Sequence, residues 1–290
     1  MISISIFYHH PIQTLSFFAL VMALCSIWVK KTFWIWGSFG IISLASAFVS
    51  DLLDPVAFLP LGFFTLLLLG LQSNVKGLSR FLLASTAFLI GGALFFHIMP
   101  GFNDQTALPY PLCLNYGKTF VGLALLGWMI PTVPFLKIGK APLTLAVVGA
   151  CFLSALFFFL HPALYNFHFS LSFFPWALMT LLFVILPEEA LLRGFLQKEI
   201  TNWIGGGMKA QVSAVAITTC IYPLFHLTWI GDMNLLIPTC ISGFVYALLY
   251  QMTKTIETPI VSHFQVSCVY FLFFGHLPFF RELPCMSLGL

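Results

Sequence analysis

About ten times along this chain, some 17 to 25 residues pass with almost no charge before a short polar break interrupts them. Each such run is long enough to cross the hydrocarbon core of a bilayer as one helix, because a helix keeps all of its backbone hydrogen bonds to itself where no water can take them. The runs lie at about 12–29, 33–50, 56–73, 81–99, 119–136, 142–160, 171–187, 210–230, 235–253 and 258–280. Only 7% of the 290 residues are charged, against about 25% in a soluble domain. No alternation of apolar and polar residues suggests the strands of a barrel. The expected fold is therefore all-α, a polytopic transmembrane bundle of about ten spans.

The few basic residues set the expected orientation. Lys30 and Lys31, Lys76 and Arg80, Lys137 and Lys140, Arg193, Lys198 and Lys209, and Lys254 follow every second span. The alternate connections hold Asp51, Asp54, Asp104 and Asp232 or no charge, so the positive-inside rule puts both termini outside. Lys118 and Arg281 fit less well and are expected to snorkel from span edges. The formal charge of +3 is too scattered for a nucleic-acid surface. Seven cysteines show no C-x-x-C spacing; the five within apolar runs read as small buried packing residues. The first residues carry no lysine or arginine ahead of the apolar run, which argues against a cleaved signal peptide. The longest polar break, Pro100 to Lys118, separates a four-span module (1–100) from a second region (115–285). His97, at a span end, reads as an interfacial residue.

Chemistry gathers in the second region. P-E-E-A-L-L-R-G-F-L-Q-K-E, Pro187 to Glu199, sets two carboxylates and an arginine into an apolar background. In α-helical register Glu189 and Arg193 share a face and can pair, while Glu188 points about 100° away. Alone, the pair reads equally well as the end of a span at the headgroups. However, I-Y-P-L-F-H then places Tyr222 and His226 four apart around Pro223, and P-I-V-S-H-F-Q-V-S places His263 and Ser267 four apart in the last span. Three spans thus each present a polar pair, the expected form of a site inside a membrane. The chemistry that fits is water activation: a carboxylate takes the proton, a histidine orients the water, and another donor holds a developing oxyanion. A peptide bond is the natural target. With straight helices, His263 and His226 would lie at different depths, so a bend or shift near Pro223 is expected.

E-E-A-L-L-R, Y-P-L-F-H and the stretch from Ser242 to Ser267 resemble, in order and spacing, the three motifs of the CPBP group of CAAX-protease and bacteriocin-processing intramembrane proteases, over roughly residues 115–280. The resemblance implies Glu188 as general base, His226 as the residue that helps to activate water, and His263 with Ser267 at the oxyanion. Glu189 and Arg193 would be the supporting ion pair. Tyr222 replaces the usual phenylalanine and Ser267 the usual asparagine, a shorter donor. The resemblance points to a metal-free glutamate mechanism; the alternative is zinc held by Glu188, His226 and His263. The implied substrate is a membrane-associated protein or peptide, with the lipid bilayer as the surroundings and a bacterial inner (plasma) membrane as the expected location. The rival reading is a transporter, a non-enzymatic membrane scaffold or an immunity protein that uses the same polar residues for relay or helix packing.

Overall fold

The computed structural model describes residues 11–30, 32–103, 115–129, 139–160, 166–226 and 236–274. These residues form ten helices: α1 (Pro11–Lys30), α2 (Phe33–Val49), α3 (Phe58–Gln72), α4 (Gly77–Phe95), α5 (Tyr116–Met129), α6 (Lys140–Leu160), α7 (Phe173–Ile204), α8 (Met208–Ile221), α9 (Leu236–Thr253) and α10 (Glu257–Phe274). The only pairing of extended backbone among them is an isolated bridge between Leu53 and Phe102. The fold is all-α, as the apolar runs require. Five helical segments, including Pro55–Gln72, which contains α3, are each long and apolar enough to cross a membrane; α1 and α2 are shorter apolar helices. Lys31, Asp104, Lys137, Asp232 and Arg281, on which part of the orientation argument rests, lie outside the described residues, as do Cys113 and Cys285.

Most of these helices turn apolar surface outward, as a protein dissolved in lipid must. Between 22% and 39% of the apolar window is buried in four of the five candidate spans, but 67% in α7. The helix that carries the glutamates is thus the most buried of the five candidate spans. Three of the five described cysteines, Cys25, Cys151 and Cys220, are exposed. This corrects their reading as buried packing residues: a thiol is apolar enough to face lipid as readily as protein.

The described residues group into two compact units, residues 11–129 with 182–191, and residues 139–181 with 192–274. In the first, the Ser43 hydroxyl donates to the Ser16 carbonyl at 2.7 Å and meets the Tyr116 hydroxyl at 2.8 Å, tying α1, α2 and α5 together. A clasp joins the loops that follow α2 and α4. Asp54 N–H donates to Gly101 O at 2.8 Å, Asn103 N–H to Leu52 O at 2.9 Å, and the His97 ring to Phe102 O at 3.2 Å. Gly101 sits at φ +90°, and a Cβ there would lie 2.5 Å from the backbone nitrogen of Ala57. In the second unit α10 packs along α6 and α9, Trp176 of α7 stacks on Phe271 at 4.1 Å, and Asn166 N–H donates to Phe273 O at 2.8 Å.

Two parts of α7 are not α-helical. Thr180–Ile185 and Ala190–Gln197 are in π register, with i→i+5 hydrogen bonds, and the four residues between them are Leu186–Glu189. Pro187 supplies a reason for the first: a proline removes the hydrogen bond to the carbonyl four residues back and crowds it, and a widened turn just upstream relieves that crowding. The α-helical spacing expected from Glu189 to Arg193 therefore becomes π spacing from Ala190 onward.

Candidate active site

Each unit holds one set of the residues singled out by the sequence. In the first, Glu188 is 3% exposed and Glu189 is fully buried. The turn that carries them packs on α5, where a Cβ at Gly122 would lie 2.9 Å from Pro187 Cγ and 3.0 Å from Pro187 Cα. One helical turn before Gly122, on the same face, stands Lys118. It is buried rather than snorkelling from a span edge, because α5 begins against the end of α4: its ammonium lies over the Phe95 ring, 4.0 Å from the centroid. The charges of Lys118 and Glu188 attract one another.

The second unit gathers Arg193, Tyr222, His226 and His263 around two tyrosine rings. α8 gives way after Ile221 to a 3-10 turn, Tyr222–His226, with Pro223 at its second position. The expected break at Pro223 thus takes the form of a tightened turn. Within it the His226 Nδ1 lies 3.1 Å from the Tyr222 carbonyl oxygen. A carbonyl only accepts, so Nδ1 carries the proton and Nε2 of the neutral ring is the basic nitrogen. The Tyr222 ring is 4.5 Å from the His226 ring and 6.2 Å from the His263 ring, centroid to centroid. Both histidines therefore reach one tyrosine, which resolves the difference in depth expected from straight spans.

Arg193, fully buried, lies over the Tyr222 ring at 4.6 Å and donates from Nη2 to the Gly243 carbonyl at 3.1 Å. Gln197, one turn on, donates to the Ala247 carbonyl at 2.9 Å. α9 comes close because Gly243 has no side chain: a Cβ there would lie 2.8 Å from Tyr222 Cβ. Tyr246, three residues beyond, is 1% exposed and stacks on His263 at 4.7 Å and 17°. Tyr246 lies within the Ser242–Ser267 stretch but is not one of the motif residues. Its signal was the position one turn after the small pair Ser242–Gly243, where α9 comes nearest to its neighbours. Ser267 lies one turn beyond His263 on α10 and is half-buried. Among the described residues no three His, Cys, Asp or Glu side chains are grouped to hold a metal ion.

Apolar helices turned outward, with buried carboxylates in the first unit and a buried arginine and histidine in the second, define a polytopic integral membrane protein. Residues 170–269, which include Glu188, Arg193, His226, His263 and Ser267, match the family described as type II CAAX prenyl endopeptidase Rce1-like. This agrees with the resemblance read from the three motifs, and at family level it supports an intramembrane CAAX-type protease, and so a hydrolase. No curated protein and no solved structure matches the chain.

Proposed function

We propose that the protein is a glutamate-dependent intramembrane endopeptidase that cleaves a membrane-associated protein or peptide. The observation that carries this reading is the family match over the segment in which His226 and His263, from separate helices, meet the same tyrosine ring. In the proposed reaction the Glu188 carboxylate takes a proton from water while Nε2 of His226, the basic nitrogen of the ring, accepts the other O–H and aims the oxygen. The water oxygen bonds to the scissile carbonyl carbon, and the C=O electron pair moves onto oxygen. An N–H of His263 and the Ser267 hydroxyl donate to that oxyanion. On collapse the C–N bond breaks, and Glu188 returns its proton to the departing amine.

The remaining polar residues serve these four. Arg193 clamps the Tyr222 ring and, through it, the turn that fixes the His226 tautomer. Tyr246 restrains the plane of the His263 ring by stacking. The mechanism proposed needs no metal.

The test is Glu188→Gln in the full chain, reconstituted in lipid and offered a farnesylated peptide with a CAAX ending. The amide keeps the shape of the side chain but cannot accept the water proton. Cleavage by the parent protein and its loss in a folded Glu188→Gln protein is the expected result. Cleavage by the variant at near the parent rate rules out Glu188 as the base, and no cleavage product from any membrane peptide tried rules out the protease.

A further inference from the structure

The first unit contains three buried charged side chains among its described residues, Glu188 and Glu189 from α7 and Lys118 from α5. An isolated carboxylate taken out of water costs several kcal/mol, and a nearby opposite charge offsets that cost. The other helices that touch α5, which are α1, α2, α3 and α4, bring no buried charged side chain among the described residues. The cation available within this unit is therefore Lys118.

Its place is built rather than incidental. Asn115 caps α5: its Oδ1 accepts from the Lys118 backbone N–H at 2.7 Å, and its Nδ2 donates to the Phe95 carbonyl at 3.2 Å. A Cβ at Gly117 would lie 2.8 Å from the Leu94 carbonyl oxygen, so the first turn of α5 is seated against the end of α4. Four residues after Lys118, Gly122 lets α5 touch Pro187, the residue before Glu188. The face that carries Lys118 is the face that meets the glutamate turn. The Phe95 ring under the ammonium adds a cation–π contact.

We propose that Lys118 is a positioning residue for Glu188: held inside the first unit by the capped start of α5, its ammonium supplies the counter-charge that keeps this carboxylate ionised and fixed in direction. The consequence for catalysis rests on the reading of Glu188 as the base. The charge pairing itself does not, and the experiment separates the two.

Full-length protein in lipid nanodiscs is compared as the parent, Lys118→Met, Lys118→Arg, Glu188→Gln and the doubles Lys118→Met/Glu188→Gln and Lys118→Met/Glu189→Gln. Thermal unfolding and recovered yield are read first. Lys118→Met is expected to lower both, since it leaves two buried carboxylates without this cation. Adding Glu188→Gln is expected to restore at least half of the loss, and adding Glu189→Gln to restore less. Where Lys118→Met alone fails to fold, recovery of folded protein in the double with Glu188→Gln is the supporting result. A double no better than Lys118→Met overturns the proposal. In cleavage of the farnesylated CAAX peptide, a base acts unprotonated, so activity falls as pH drops through its titration. Without the ammonium that acid limb is expected to move up by about one pH unit, with KM unchanged, and Lys118→Arg to restore it. An unmoved acid limb in an active Lys118→Met protein also overturns the proposal. A parent protein that cleaves nothing defeats the protease reading, while the unfolding comparison still decides whether Lys118 serves Glu188.

Discussion

Gly243→Ala tests how the second unit holds its histidines. The added methyl would lie 2.8 Å from both Cβ and Cδ1 of Tyr222 and 2.9 Å from Cγ. Ordinary contact begins at 3.4 Å, so a displacement of about 0.6 Å is required. Rotating the tyrosine ring does not supply it, because Tyr222 Cβ is fixed to the backbone of the turn. Either that turn or α9 must move. Overpacking of this kind costs about 1 to 3 kcal/mol, and the better helix propensity of alanine returns up to about 1 kcal/mol. The net loss of stability is therefore about 0 to 3 kcal/mol. Activity is the sharper readout, since the turn that moves also carries the Tyr222 carbonyl that orients His226, and a misplacement approaching 1 Å costs about 100-fold. We expect kcat to fall by about 10- to 100-fold while the variant remains folded. Combining it with Tyr222→Gly, which removes all three atoms that clash, should give a total stability loss smaller than the sum of the two single losses. An unchanged kcat, or strict additivity in the double variant, refutes the close approach as the reason for glycine at position 243.

Three further outcomes follow from other parts of the molecule. Ser267→Ala should slow cleavage by up to about 100- to 1,000-fold if the hydroxyl donates to the oxyanion, and Ser267→Asn should hold or raise activity; a silent Ser267→Ala in a steady-state assay assigns the oxyanion to His263 alone. Activity should survive incubation with a strong chelator; stoichiometric zinc in the purified protein, lost with activity and regained with it, gives the reaction to a metal instead. Gly101→Ala should lower stability by about 1 to 3 kcal/mol, because φ +90° is strained for alanine and the methyl meets the backbone of Ala57 at 2.5 Å; thermal unfolding within experimental error of the parent contradicts the clasp.

The sequence made the helices legible because hydropathy in a membrane is a length measurement. Nine helix starts lie within about three residues of the apolar runs, and α4, at Gly77, begins four residues early. The three polar pairs were legible because polar residues are scarce in such runs. What escaped depends on contacts between helices. Lys118 looked like a span-edge lysine, and only the packing of α5 on α4 and on Pro187 shows that it is enclosed. Tyr246 stood in an apolar run where one more aromatic carries no signal. The π-register turns have no pattern of their own, although Pro187 gave notice that the helix could not continue unaltered.

Tyr222 serves its neighbours through two separate parts: the ring is a platform for Arg193 and both histidines, while the polar contact to His226 belongs to the backbone. The para position of the ring can therefore be changed without touching the atom that orients the imidazole. This makes residue 222 a natural seat for a spectroscopic reporter. A para-cyanophenylalanine introduced there would keep both the platform and the carbonyl, and its nitrile stretch would report the local electric field as substrate arrives.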